Sequence, residues 1–111
     1  MAVDPGAAAL MREDLSHLAD LSEKPMFGGM AFMREGHMLA GVMSDGGLIY
    51  RVGKPREADA CAMPGVGPMQ SGERRMGGFV VLSGQPMADD DLRRRLLDLA
   101  LINAADLPAK D

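Results

Sequence analysis

The sequence predicts one α+β domain in which an antiparallel meander sheet of about five strands packs with three helices. Three observations predict this class: a helical apolar period near the start, short apolar segments separated by glycine-containing turns, and a leucine-rich helical segment near the end. The chain has 111 residues, 47% of them apolar and 25% charged. That is enough for one hydrophobic core but not for two independent domains.

The first helix is predicted over residues 7–21. Asp4 followed by Pro5 fits a helix start, with an N-cap residue and then proline in the first turn. Apolar residues then recur at helical spacing at Met11, Leu15 and Leu18. Pro25 blocks continuation of the helix, so we expect the sheet to begin after it.

The middle of the chain predicts consecutive antiparallel strands. The strands are expected at residues 26–33, 38–43 and 48–52. Short polar turns containing glycine separate them, and Asp45-Gly46 is a strong hairpin signal because glycine tolerates positive φ. This part of the sequence therefore predicts a meander.

The second half predicts two helices and the rest of the sheet. A short helix is expected at residues 56–62, and strands are expected at 69–71 and 79–82. Three aspartates at 89–91 suit the positive end of a helix dipole, and the helix that follows extends to about residue 104. Its apolar face is formed by Leu92, Leu96 and Leu99.

Two segments carry more apolar surface than one sheet face needs. The last helix has apolar residues over more than half of its circumference, including Leu101 and Ile102, whereas a helix on one core needs a stripe of roughly 100°. The predicted strand at 38–43 is apolar on both faces. Three helices in so short a chain can hardly cover both faces, so we expect a two-fold homodimer and take Leu101 and Ile102 as candidate interaction residues.

The basic residues give a second candidate surface. Sixteen acidic and twelve basic residues give a net charge of −4, which lacks the broad positive footprint of nonspecific nucleic-acid binding. A small-ligand or nucleic-acid site at Arg51, Arg56, Arg74 and Arg75 is the alternative interpretation. Acidic residues interleave with these arginines, which favours an ordinary solvated surface and argues against direct nucleic-acid binding.

No residue pattern predicts a catalytic or metal site. His17, His37 and Cys61 are isolated in the sequence, and no CxxC, HxxxH or HExxH spacing occurs. We therefore expect no cofactor and no enzymatic activity. An enzyme remains the weaker alternative, and it would require a nucleophile and a base to converge in a deep pocket.

The sequence also predicts the compartment. The single cysteine cannot form an internal disulfide, and the first residues contain Asp4 and no basic segment typical of a secretory signal. The longest charge-free stretches, at 60–72 and 76–88, are interrupted by glycine and proline and are too short to span a bilayer. The expectation is a cytoplasmic protein without a membrane segment.

The order of residues along nearly the whole chain resembles the TfoX N-terminal domain family, also called TfoX/Sxy. The positions that carry the resemblance are Met26, Phe27, Gly28, Gly29, Phe32, Gly41, Gly53, Gly72 and Gly78. On physical grounds Gly28, Gly29, Gly41 and Gly78 are typical of positions where a strand bends or another backbone comes close, which is an architectural role.

The resemblance implies a two-layer fold similar to type III secretion chaperones. It also implies a non-catalytic, protein-interaction role in bacterial transcription regulation, because the family is named after competence regulators that look like co-activators of the cyclic-AMP receptor protein. The expected partners are a second copy of the chain and a transcription regulator. Those regulators carry a second, C-terminal domain, whereas residues 1–111 are expected to form a single TfoX N-terminal-like domain.

Overall fold

The computed structural model describes residues 4–26, 28–71 and 73–107, and the described residues form three α-helices and six strands. The helices are α1 (Pro5–Asp14), α2 (Glu57–Cys61) and α3 (Asp90–Ala105). The strands are β1 (Leu21–Met26), β2 (Gly29–Arg34), β3 (His37–Val42), β4 (Leu48–Arg51), β5 (Val66–Ser71) and β6 (Arg74–Leu82). Single 3-10 turns at Lys54–Arg56 and Gln85–Ala88 precede α2 and α3. The α+β class and the three helices are confirmed, but the sheet has six strands rather than about five.

All strand pairs are antiparallel, in the order β1-β2-β3-β4-β6-β5. The first four strands form a meander; β2, β3 and β4 correspond to the three strands expected, and β1 is an additional edge strand. After β4 the chain passes through α2 to the far edge, forms β5 there, and returns as β6 between β4 and β5. The last hairpin therefore departs from a simple meander, and α2 lies beside this hairpin.

The predicted first helix is too long. Helix α1 ends at Asp14, and Asp20 reverses the chain direction with a φ of 62°. Residues 21–26 then form β1, an edge strand paired with β2, which the helical interpretation missed. Leu15 and Leu18 do contact the core, but from the turn after the helix. Their spacing from Met11 is helical, which is why the sequence suggested a longer helix. An edge strand tolerates Pro25 because one side of the strand needs no ladder donor.

Three predicted strand boundaries are also corrected. Strand β2 begins at Gly29, because Gly28, with a φ of 73°, lies in the turn after β1. Strands β5 and β6 are longer than predicted and begin at Val66 and Arg74. The Gly77-Gly78 pair hides the alternation of β6 because glycine has no side chain to mark a face.

The main core lies between one face of the sheet and the three helices. Alternate residues of the central strands point into it, among them Ala40, Leu48, Tyr50 and Val80, each at most 1% exposed. The helices cover them with Met11 of α1, Ala60 of α2, and Leu92, Leu96, Leu97 and Ala100 of α3. This arrangement leaves the opposite face of the sheet without a helix among the described residues.

A partly buried ion pair fixes α1 against α3. Arg93 of α3 is 6% exposed, and its Nε donates to Oδ2 of Asp14 at 2.8 Å. Its Nη1 donates to the carbonyl oxygen of Met87 at 2.7 Å, and its Nη2 donates to Asp90 in the first turn of α3. The N-terminus of α3 is capped by Asp89, whose Oδ1 accepts from the amides of Asp91 and Leu92. One arginine therefore holds together α1, α3 and the 3-10 turn that precedes α3.

Candidate interaction surfaces

The face of the sheet away from the helices is lined mainly by methionine. We call it the methionine face and define it as Met26, Ala31, Met33, Met38, Met43, Ile49, Met69, Met76, Phe79 and Val81. Six of the chain's eleven methionines belong to it. All of its members lie on strands or directly after one, so no described helix contributes to it.

The methionine face has a buried layer and a half-buried layer. Ile49 is 1% exposed and Met69 is fully buried, although no helix of the described residues lies above either of them. The residues that cover them are half-buried themselves: Met26, Met33, Met43, Met76, Phe79 and Val81. Long, unbranched methionine side chains can fill irregular gaps, so the sheet supplies part of its own cover.

Arg51 places a positive charge next to this apolar surface. It is opposite Phe79 in the β4–β6 register, and its guanidinium carbon lies 5.4 Å from the centre of the Phe79 ring. At this distance a cation is attracted to the face of an aromatic ring. Arg51 is therefore part of the border of the methionine face.

Both edges of the sheet carry features that oppose strand addition. Edge strand β1 contains Pro25, and edge strand β5 contains Pro68 followed by a register shift between Pro68 and Met69. Proline and bulges at an edge interrupt the row of donors that another strand would pair with. The methionine face is therefore a better contact surface than either edge.

A second surface feature is a groove of about 910 Å³ between α2 and the β5–β6 hairpin. We call it the α2 groove. Its lining residues are Lys54, Glu57, Ala58, Cys61, Pro68, Arg74, Arg75, Met76 and Gly77. Three cations and one carboxylate line this groove, in contrast to the negative charge of the whole chain.

The carboxylate of Glu57 is held by hydrogen bonds at the groove. Its Oε1 accepts from the amide of Gly78 at 2.7 Å, and its Oε2 accepts from the guanidinium of Arg75. The Gly78 amide, assisted by Arg75, lowers the pKa of Glu57. Glu57 is thus ionised at neutral pH and neutralises Arg75, which leaves Lys54 and Arg74 as the excess positive charge.

The four arginines proposed as one site are distributed over three places. Arg74 and Arg75 do line the α2 groove together. Arg56 donates to the carbonyl oxygen of Val52 at 3.3 Å and contacts Asp106 at 3.4 Å, while Arg51 borders the methionine face. The third cation of the groove is Lys54, which the four-arginine prediction omitted. Its spacing from Arg51 and Arg56 gave no indication that it faces Arg74.

The two candidate residues on α3 differ in exposure. Leu101 is half-buried against the main core, whereas Ile102 is 50% exposed and is the single large apolar residue with high exposure among those that the structure describes. The broad apolar distribution on α3 is thus largely absorbed by the domain's own core. The apolarity of β3 on both faces is a real feature, because Met38 belongs to the methionine face and Ala40 to the main core.

The candidate nucleophile and bases do not share a cavity. His17 lines a cavity with Asp14 and Arg93, His37 lines another with Leu101, and Cys61 lines the α2 groove. Burial raises the pKa of the Cys61 thiol, which opposes formation of a reactive thiolate. Across residues 4–26, 28–71 and 73–107, no group of three or more His, Cys, Asp or Glu side chains is arranged to hold a metal ion.

The signature glycines lie where strands approach closely. A Cβ on Gly29 would lie 2.0 Å from the carbonyl oxygen of Val42, and a Cβ on Gly41 would lie 2.6 Å from that of Met30. Glycine is therefore required on both sides of the β2–β3 pair. Gly53 and Gly78 also meet, because the Gly53 amide donates to the Gly78 carbonyl oxygen at 3.0 Å.

The other signature positions have different roles where the structure describes them. Phe32 is 2% exposed in the main core, Met26 belongs to the methionine face, and Gly28 lies in the turn between β1 and β2. Phe27 and Gly72 lie outside the described residues.

In the described part of the chain, every helix is too short or too polar to cross a membrane.

The fold and its surfaces define a small α+β domain with helices on one face of an antiparallel sheet and an apolar face on the other. The family model of the TfoX N-terminal domain matches residues 13–104, and the chain belongs to this family. The resemblance carried by the glycine and aromatic positions is therefore confirmed. Comparisons with curated proteins and with solved structures gave no match.

Proposed function

We propose that this domain acts in transcription regulation through protein contacts, without a catalytic site, and that its methionine face binds a second copy of the chain. The observation that carries the proposal is an apolar sheet face that no described helix covers. Membership of the TfoX N-terminal domain family supports the regulatory role.

The dimensions of the methionine face fit a dimer contact. Six strands spaced about 4.8 Å apart, with a rise of about 3.3 Å per residue, give a sheet face on the order of 500 Å² in projection. A standard interface buries about 800 Å² per partner. Because its members are buried or half-buried, the methionine face supplies only part of this area, and rim residues such as Arg51 supply the rest.

The geometry of the sheet also favours a face-to-face contact. Prolines and a bulge interrupt both sheet edges, so two copies cannot readily continue one sheet across a shared edge. Two sheets stacked on their apolar faces pack about 10 Å apart. A two-fold axis lets the same patch serve both copies, and flexible methionines can adjust to each other across it.

The separation of ionisable groups supports a role without catalysis. Nucleophilic catalysis requires the nucleophile and its base within hydrogen-bond reach. Cys61, His17 and His37 line three separate cavities, and the Cys61 thiol has a raised pKa.

Sedimentation velocity over a range of about 1–100 µM protein tests the dimer, because we expect a dissociation constant on the order of micromolar. We expect the unmodified chain to dimerise, and Val81→Glu to raise the dissociation constant by on the order of 30-fold because it buries an unpaired charge in the contact. Met43→Glu, directly after β3, is a second variant on the methionine face that should act in the same direction. Circular dichroism checks that each variant is folded.

Ile102→Glu is the matched comparison because it places the same charge on the exposed apolar residue of α3. It should leave the dimer intact. A monomer at the highest concentration would overturn the proposed contact, and loss of the dimer in Ile102→Glu alone would move the interface to α3.

The regulatory role has its own test in the native cell. Deletion of the chain should change transcript levels, and the unmodified chain should restore them while folded Val81→Glu should not. Unchanged transcripts after deletion would refute the regulatory role, and full restoration by Val81→Glu would separate regulation from the methionine face.

A further inference from the structure

We infer that the α2 groove binds a small organic anion that carries a phosphate group on an apolar body. The inference is independent of the proposed dimer, because the groove shares only Met76 with the methionine face. It rests on three observations: the shape of the groove, the placement of its cations, and the apolar surface between them.

The groove has the size of a small-molecule site. Its volume of about 910 Å³ lies within the range of about 300–1,000 Å³ that is typical of ligand pockets. One wall is α2 with the preceding 3-10 turn, and the other is the β5–β6 hairpin. Both walls therefore belong to regular structure, which holds the lining side chains in place.

The charge of the groove is opposite to that of the whole molecule. Lys54, Arg74 and Arg75 line it against the single carboxylate of Glu57, in a chain with a net charge of −4. Glu57 is engaged by Arg75 and by the Gly78 amide, so it cannot neutralise all three cations. The remaining charge is suited to a dianion such as a phosphate monoester.

Lys54 is placed along the wall by the absence of a side chain at Gly77. A Cβ on Gly77 would lie 3.0 Å from Cε of Lys54, so glycine leaves room for the lysine stem. This contact places the end of the lysine stem against β6 of the hairpin, and Arg74 lines the same groove. The two cations without a hydrogen-bonded carboxylate therefore come from opposite walls.

The rest of the lining is apolar. It is formed by Ala58 and Cys61 from α2 and by Pro68 and Met76 from the hairpin. Such a surface gives little to a bare inorganic ion but removes an apolar body from water. The ligand class is therefore a phosphate attached to an apolar group rather than free phosphate.

Cys61 provides a specific reporter because it is the chain's single cysteine and lines the groove. The experiment measures the rate at which iodoacetamide alkylates Cys61 at pH 8.5 while 1-naphthyl phosphate is titrated to about 10 mM, a range that covers weak small-ligand binding. We expect saturable slowing, and calorimetry should return the same dissociation constant. Inorganic phosphate, which lacks the apolar body, and 1-naphthol, which lacks the charge, should each protect at least about tenfold more weakly.

Arg74→Glu is the test variant, and Arg95→Glu is the control with the same charge change on the exposed surface of α3. Each variant is compared with its own rate in the absence of ligand. Arg74→Glu should weaken protection by at least about tenfold, whereas Arg95→Glu should leave it within about twofold. No saturable slowing, or equal weakening in the two variants, would overturn the inference. Calorimetric binding that does not slow alkylation would place the ligand elsewhere and would also overturn it.

Discussion

Replacing Arg93 with methionine should destabilise the domain strongly although Arg93 lies at no proposed binding surface. The change keeps an apolar stem of similar length but removes the guanidinium that bonds to Asp14, Asp90 and the carbonyl of Met87. The cost comes mainly from the groups left behind, because a half-buried carboxylate and a carbonyl lose their donors.

The magnitude follows from the exposure of the partners. Removing one member of a fully buried ion pair costs about 3–5 kcal/mol. Here the Asp14 side chain is 21% exposed and that of Asp90 is 81% exposed, so water can hydrate part of the released charge. We therefore expect a loss of about 2–3 kcal/mol, including the Met87 carbonyl, and a melting temperature lower by roughly 8–15 °C.

Urea unfolding followed by far-ultraviolet circular dichroism at pH 7 measures the loss. Arg94→Met is the matched control, because the Arg94 side chain is 72% exposed and its closest carboxylate oxygen, on Asp91, is 4.0 Å away. The control should remain within about 0.5 kcal/mol of the unmodified chain. Adding Asp14→Asn to Arg93→Met should recover about 1–2 kcal/mol, because the stranded charge is removed. Equal stabilities of Arg93→Met and Arg94→Met would refute this account of the α1–α3 contact.

Three further predictions concern single side chains. Tyr50 has a buried hydroxyl oxygen without a hydrogen bond to any described residue, so Tyr50→Phe should raise the free energy of unfolding by about 1 kcal/mol. A free energy of unfolding below that of the unmodified chain would show that the hydroxyl does form a hydrogen bond. Burial raises the pKa of this single tyrosine well above its usual range, so its phenolate absorbance should appear only when alkali unfolds the chain, and ionisation of the folded chain near pH 10 would contradict its burial. The pKa of Glu57 is lower in the folded chain than in the unfolded chain, so ionised Glu57 stabilises the fold above about pH 4.5 and this stabilisation is lost as the pH falls through the folded-state pKa. In urea titrations Glu57→Gln should therefore lose less stability on acidification than the unmodified chain. The same loss of stability in both proteins would exclude this linkage.

Local signals were sufficient for the elements whose determinants lie close together in sequence. The α3 prediction was accurate because Asp89 caps the helix and the leucines repeat within four turns. The β3 and β4 strands were found because Asp45-Gly46 marks their hairpin. Strand β1 was missed although it forms a local hairpin with β2, because Leu15 and Leu18 extended the apparent helical period and Pro25 was interpreted as a helix stop rather than as an edge-strand residue.

The arrangement of the basic residues depends on the connection after β4, which spacing alone does not reveal. Arg51 ends a strand and borders the methionine face, while Lys54, three residues later, lines the α2 groove. Gly53 lies between them and has a positive φ of 89°. Arg74 lines the same groove from the start of β6, next to the β5–β6 turn. The two residues are distant in the sequence, so they share a groove only in the folded chain.

The methionine content connects stability of the single chain with its capacity to associate. No described helix lies above Ile49 and Met69, so both would be exposed if small or rigid residues surrounded them. They are 1% and 0% exposed because half-buried methionines and Phe79 cover them. A second copy therefore gains only the remaining exposed part of that cover, and association also carries a cost in lost freedom of movement. The same flexible side chains lower the strain of fitting two faces together. The expected dimer is accordingly of micromolar strength, about −8 kcal/mol, and its dissociation should depend on the half-buried methionines and Val81 rather than on Ile49 and Met69 beneath them.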